Sequence, residues 1–459
     1  MTVVAGPPRP IPGPTRDYRF PAFERLTLPN GLTVVVAPVS KLPVVTVVAL
    51  VDAGAAVDPP GCEGVAQLTA QALAEGTEQS DGTQLAERFE RLGTALDTSA
   101  DWDSTTIRIT VTSERVAAAL SLLAEVVRSP TFPEREVERL KQERLAELLQ
   151  QQTEPRGLAD DMFSRFAYAG DSRYALPDGG LEATVGSLTR DAVTAFYQSR
   201  YAPSSTTLII VGDIDHTTAH AIAGNAFGTW EGRATSHPTP SDQPARLTRT
   251  VHIVGKADAP QSELRVGHVG VPRRHPKYFP IVVMNAILGG LFSSRINLNL
   301  REAHAYTYGA FSSFDWRRGA GPFTIATAVQ SDVTDAALRE IMLEVERMRS
   351  AEVTDAELTL ATSYLDGVFP IRYESTTAIA NALAALVSYA LPDDYFDRYR
   401  AHIRAVTAGD ILDAARAYVR PEHLQIVTVG DPSVIRAPLE ALALGPVHVY
   451  DAEGNPAAV

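Results

Sequence analysis

Residues 187–214 read SLTRDAVTAFYQSRYAPSSTTLIIVGDI, and residues 405–432 read AVTAGDILDAARAYVRPEHLQIVTVGDP. Each stretch runs through a Thr cap, an amphipathic helix, a Tyr, a Pro-containing turn, a β-rich run and Gly-Asp. Asp213 and Asp431 are separated by 218 positions, and Tyr201 and Tyr418 by 217. A second pair keeps the same offset: VTSERVAAALSLLAEVVRSP at 111–130 matches VQSDVTDAALREIMLEVERMRS at 329–350, with Leu120 and Leu338 again 218 apart. Two matches at one offset indicate duplication. The period is too long for a solenoid repeat, so the chain is read as two homologous domains in tandem.

Working outward, residues 231–249 (EGRATSHPTPSDQPARLTR) are polar and aperiodic, which predicts a linker. The expected organisation is a Pro-rich N-terminal arm over 1–24, a first domain over 25–230, the linker, and a second domain over 250–459. LTLPNGLTVVVAP at 26–38 predicts a hairpin around Pro29-Asn30-Gly31, and PVVTVVALVD at 43–52 a buried strand. Val116, Leu120, Leu123 and Val127 recur at helical spacing before Pro130, and 136–152 predicts a long charged helix. Strands followed by helices within each half give an α+β class, each domain being an antiparallel sheet with helices packed on it.

Composition narrows the function. The chain has 459 residues, 41 basic and 55 acidic, for a net charge of −14. It carries no basic footprint for nucleic acid. Its one cysteine, Cys62, excludes an intrachain disulfide and a cysteine zinc site. No uninterrupted run of about 18 apolar residues predicts a membrane span, and the N-terminus lacks a signal-peptide core. The expected location is therefore the cytoplasm, or the periplasm if a leader has been removed. No P-loop, G-x-S-x-G elbow or H-E-x-x-H helix is present.

All ten histidines lie at His216 or later, so the first domain up to Asp215 has none and a conventional zinc site there is not expected. His216 and His220 have a metal-capable spacing but no evident carboxylate partner, and are read as a helix start. Trp102 and Trp316 read as packed aromatics, and Arg273-Arg274-His275 as a solvated basic turn.

The stretch VDAGAAVDPPGCEGVAQLTAQALAEGTEQ from Val51 resembles the signature region of the pitrilysin and mitochondrial processing peptidase family, the inverzincins. There a Gly-rich turn leads into a helix bearing H-x-x-E-H, with two zinc-binding His, a general-base Glu and a distal Glu ligand. Aligned on Gly64 and Gly76-Thr77, those motif positions fall on Gln67, Ala70 and Gln71, and the distal Glu on Glu147 or Glu143. A neutral amide is a poor zinc ligand and Ala70 accepts no proton, so no cofactor is expected in this chain.

The second half resembles the same family more fully. ILGGLFSSRINLNLREAHAYTYGAFSSF (287–314) is similar to its Gly-rich turn, Ser-Ser-Arg, Leu-Arg-Glu and following Tyr. In the family that Arg and Tyr bind substrate backbone and help stabilise the oxyanion; here they correspond to Arg301 and Tyr308. The resemblance spans about residues 25–435. It implies a half-shell that pairs with a homologous, zinc-bearing H-x-x-E-H subunit to hydrolyse peptides, this chain supplying Arg301, Tyr308 and half the chamber. The alternative is a non-proteolytic structural or peptide-binding homologue, similar to the core subunits of respiratory complexes.

Overall fold

The computed structural model describes residues 17–457, so most of the Pro-rich arm lies outside the described residues. The first sheet contains β1 (Glu24–Thr27), β2 (Thr33–Pro38), β3 (Val44–Val51), β4 (Asp97–Ala100), β5 (Thr105–Thr112) and β6 (Thr206–Gly212), in the order β1-β2-β6-β3-β5-β4. The second contains β7 (Thr250–Gly255), β8 (Gln261–Val269), β9 (Ala310–Phe314), β10 (Pro322–Gln330), β11 (Gln425–Gly430) and β12 (Val447–Tyr450), in the order β12-β7-β11-β8-β10-β9. The duplication is visible strand by strand: β2, β6, β3, β5 and β4 correspond to β7, β11, β8, β10 and β9. Helix Val116–Arg128 recurs at Thr334–Ser350, its start displaced by the same 218 positions.

The sheets are mixed and not purely antiparallel. β2 runs parallel to β6, and β7 runs parallel to both β11 and β12. Three strands and several helices separate β2 from β6 in the chain, and so long a connection permits parallel pairing, whereas a short turn forces the antiparallel one. The outer edges differ between halves. β1 reaches β2 through the expected tight turn, with Gly31 at φ +93° and the Asn30 amide donating to the carbonyls of Phe227 and Trp230. The corresponding edge of the second sheet is closed by the C-terminal strand β12.

The halves exchange one helix each. Helix Pro155–Ala167, in the first half of the chain, packs on β8 and β11 of the second sheet. There Phe166 stacks on His252 with centroids 4.2 Å apart, and Leu158, Phe163, Val427 and Val429 share a buried cluster. The equivalent helix of the second half, Thr376–Ser388, packs on β3 and β6 of the first sheet, where the Thr376 and Thr46 hydroxyls lie 2.8 Å apart. The linker over 231–249 contains no regular element, yet it is tied into the seam: the Ala169 amide donates to the Gln243 carbonyl and the Ala245 amide to that of Ala167. The described end of the arm also crosses between halves, Phe20 stacking on Phe396 and the Tyr18 hydroxyl donating to the Tyr373 carbonyl.

One segment, Tyr278–Ala303, is apolar and long enough to cross a membrane by length and composition. It is interrupted by a turn after Gly290, and half of its apolar window is buried. Ile281, Val283, Met284, Ile287, Ile296 and Leu300 face the core of the second domain, so this is a core segment.

Candidate functional site

The degenerate motif sits on helix Val65–Ala72. Its start is built by Asp58, whose carboxylate accepts from the amides of Gly64 (2.8 Å) and Ala66 (3.0 Å) and from Arg173 (2.9 Å). Gly64 adopts φ +98°, a left-handed conformation that glycine takes without strain. Burial pushes the Asp58 carboxyl up to about 6 in spite of Arg173 and the two amides. Gln67 and Gln71, four residues apart, are half-buried on this helix, and Ala70 is fully buried.

Helix Glu134–Thr153, which carries Glu143 and Glu147, packs against helix Val65–Ala72. It brings a residue that the sequence reading did not single out. Arg144 donates to the Gly179 carbonyl through Nε (3.2 Å) and pairs with Glu147 at 3.0 Å. A Cβ at Gly179 would overlap both the Arg144 guanidinium and the Gln67 amide oxygen, so the two side chains converge on this glycine. Glu147 is thus engaged by a cation on its own helix, and Glu143 by Arg139 at 2.8 Å. These residues do not fit a zinc ion. Two neutral amides and a methyl group stand at the motif positions, a guanidinium lies beside them, and a bound dication would meet that positive charge. Among the described residues, no group of three or more His, Cys, Asp or Glu side chains is placed to hold a metal. His216 opens the helix His216–Phe227, capped by Asp215, and lies 3.5 Å from Glu24.

The second-domain motif is built differently. Two π-helical turns, Ala286–Gly290, which contains Gly289 and Gly290, and Leu298–Ala303, bracket the turn at 291–294; such widened turns recur at functional sites because they re-aim side chains. The buried Asn297 ties the unit together, its amide donating to the Phe292 carbonyl (2.6 Å) and its oxygen accepting from the Ala310 amide (3.1 Å). Arg301 lies in the second π-helical turn. Its guanidinium sits 4.5 Å from the centroid of the Phe292 ring and 3.7 Å from Glu302, and remains about one-third exposed. Tyr308 occupies the loop just before β9 and is 95% exposed. A Tyr kept for packing would be buried in the strand; this one presents its ring and hydroxyl to solvent. Phe292 and Phe311 are also exposed, and Phe292 is the ring against which Arg301 lies. Phe292 and Asn297 were not anticipated as parts of the site, although both lie inside the quoted motif.

The two motifs occupy different domains. Helix Val65–Ala72 packs on helix Arg190–Arg200, helix Glu134–Thr153 and β4, whereas Leu298–Ala303 packs on helix Thr334–Ser350. Between the domains lies a cationic and aromatic seam. The Trp102 ring has the Arg317 guanidinium 4.1 Å from its centroid and that of Arg173 at 5.1 Å, and Tyr174 edge-on at 5.2 Å. Trp102 is therefore packed, as expected, but between charges. Trp316 packs on Tyr278 and Phe314.

Two family profiles match the chain: "Insulinase (Peptidase family M16)" over residues 34–174 and "Peptidase M16 inactive domain" over 187–365. Among curated relatives, the uncharacterized zinc protease YmxG of Bacillus subtilis is 23% identical over 358 residues, covering 78% of this chain and 86% of that protein. A probable mitochondrial-processing peptidase subunit beta of Arabidopsis thaliana is 24% identical over 422 residues, covering 88% and 77%. Among solved structures, a peptidase M16 inactive domain from Pseudomonas fluorescens superposes with a TM-score of 0.84 at 26% identity, covering 89% of this chain and 98% of that one. A protease from Helicobacter pylori superposes at 0.85 with 20% identity, covering 90% and 100%.

Proposed function

The chain belongs to the M16, pitrilysin-like peptidase family, and from that premise we propose that it is the zinc-free subunit of a two-subunit metallopeptidase. A homologous partner bearing H-x-x-E-H supplies the zinc and the general base. This chain supplies half of the chamber wall, together with Arg301 and Tyr308. The observation that carries the proposal is the contrast between its two motifs. Arg144 converges with Gln67 where the family places metal ligands, while Tyr308 stands 95% exposed and Arg301, seven positions earlier in the same motif, is held on the Phe292 ring.

The chemistry assigned to these residues follows from charge. Peptide hydrolysis places negative charge on the former carbonyl oxygen, and a phenol O–H positioned there stabilises it most in the transition state. A guanidinium holds a substrate carbonyl or carboxylate before reaction. Phe292 limits the positions open to Arg301, which lowers the entropic cost of engaging substrate.

The test is affinity purification of the chain from its native organism, followed by mass spectrometry and peptide-cleavage assays of the isolated chain and of the complex. The proposal expects an H-x-x-E-H homologue in near-equal amount, cleavage only by the complex, and zinc only in the partner. Stoichiometric zinc held by residues 67–147 of the isolated chain would sink it. A stable complex that cleaves nothing would favour the second reading, a structural or peptide-binding homologue, which Gln67, Ala70 and Gln71 support equally.

A further inference from the structure

The turn Arg273-Arg274-His275, expected to be solvated, buries its first residue: Arg273 is only 8% exposed. Its guanidinium lies 3.7 Å from the ring centroid of Tyr278, 5.0 Å from that of Tyr395 and 6.0 Å from that of Tyr389. Nη2 donates to the Tyr395 hydroxyl at 2.6 Å. Among the described residues, Arg273 forms no ion pair, and the bond from Nη2 to Tyr395 is the one hydrogen bond of its side chain. A buried guanidinium with rings around it and no counter-ion is an unusual arrangement, because desolvating a charge costs more than ring stacking returns.

The group faces a pocket of about 320 Å³. One wall is aromatic, with Phe279 stacked on His402 at 4.7 Å. Arg274, His275 and Arg398 also line it. The one acidic lining group, Asp394, is neutralised by Arg398 at 2.7 Å. The Tyr395 hydroxyl accepts from Arg273, so its own proton is available to a second acceptor, and burial pushes that phenol up, keeping it a donor. The balance of the pocket is positive, with two kinds of donor and several aromatic rings among its lining residues.

We propose that this pocket binds a small oxyanion on an apolar body, a carboxylate or a phosphate monoester, with Arg273 and Tyr395 as its donors. A pocket of this volume admits a body the size of a benzene ring. The two possible sources of the anion are distinguished by titrating the full chain calorimetrically with benzoate and with phenyl phosphate, using uncharged benzamide as the control. The expected result is saturable one-to-one binding of at least one anion and none of benzamide; the tighter anion identifies the source. Tyr395→Phe keeps the ring and removes one charge-assisted donor, so affinity should fall about tenfold. Arg273→Gln should abolish binding; if that variant does not fold, Tyr395→Phe alone decides. Failure of both anions to saturate, equal binding of benzamide, or wild-type affinity in folded Tyr395→Phe overturns the proposal.

Discussion

At the residue scale, the roles proposed for Tyr308 and Arg301 make separable predictions in the proposed two-subunit complex. Tyr308→Phe removes one hydroxyl from a side chain that packs on nothing, so the melting temperature should not change. Steady-state kinetics should show kcat reduced about 100- to 1,000-fold with a smaller change in KM. Arg301→Ala should raise KM as well, since under the proposed role it removes the guanidinium that engages substrate before reaction, and it leaves Phe292 without its cation. Unchanged kinetics in both folded variants would make this chain scaffold. Asp161 makes a pH prediction. Burial first, and then the neighbouring Asp160 and Asp178, push its carboxyl up to about 7, against the pull of Arg144. A carboxyl raised in the folded state favours folding while protonated, and that contribution is lost as pH rises toward 7. Asp161→Asn should therefore be more stable than the wild type at pH 8, and the difference should vanish near pH 4. Thermal melts across that range check it, and an equal or lower melting temperature for Asp161→Asn at pH 8 counts against it.

At the scale of elements, the helix Val65–Ala72 sets Gln67 and Gln71 at the i, i+4 spacing that a pair of metal-binding His would need. Replacing Gln67 by His, Ala70 by Glu and Gln71 by His restores the ligand types, but Arg144 still engages Glu147 and lies against Gly179. The triple variant is therefore expected to bind zinc poorly, and affinity should appear only when Arg144→Ala is added to free the carboxylate. Calorimetric zinc titration of the two variants makes the comparison; tight binding by the triple variant would show that Arg144 is not the obstacle. Ala70 is fully buried, so a Glu there also costs stability and the melts must be measured in parallel.

At the scale of the whole molecule, the exchanged helices make the halves interdependent. Without residues 155–167, the second sheet exposes Val254, Val427 and Val429; without 376–388, the first loses the cover over β3 and β6. Each loss strips apolar area at roughly 25 cal/mol per Å². Residues 25–230 and 250–459 expressed separately should aggregate or remain partly unfolded, and should regain solubility when co-expressed. Calorimetry of the intact chain should show one transition. Two well-separated transitions, or two soluble cooperative halves, would mean that the exchange contributes little.

The sequence by itself determined the duplication, because two copies of one helix-strand pattern at a 218-residue offset require no knowledge of contacts. It likewise located the hairpin at Asn30-Gly31 and the helix at Val116–Arg128, since turn chemistry and helical periodicity are local properties. Only the tertiary structure decided what depends on residues far apart in the chain. The parallel pairing of β2 with β6 joins strands about 170 positions apart. The helix exchange pairs surfaces of different halves, and the convergence of Arg144 and Gln67 on Gly179 brings together three separate segments. Arg273 reads as a solvated charge because charge alone predicts exposure, and it is buried because Tyr278, Tyr389 and Tyr395, spread over more than a hundred positions, close around it. The exposure of Tyr308 is likewise a tertiary property: hydrogen bonds to the backbone around Leu298–Ala303 and to Asn297 hold the loop that carries it before the strand β9.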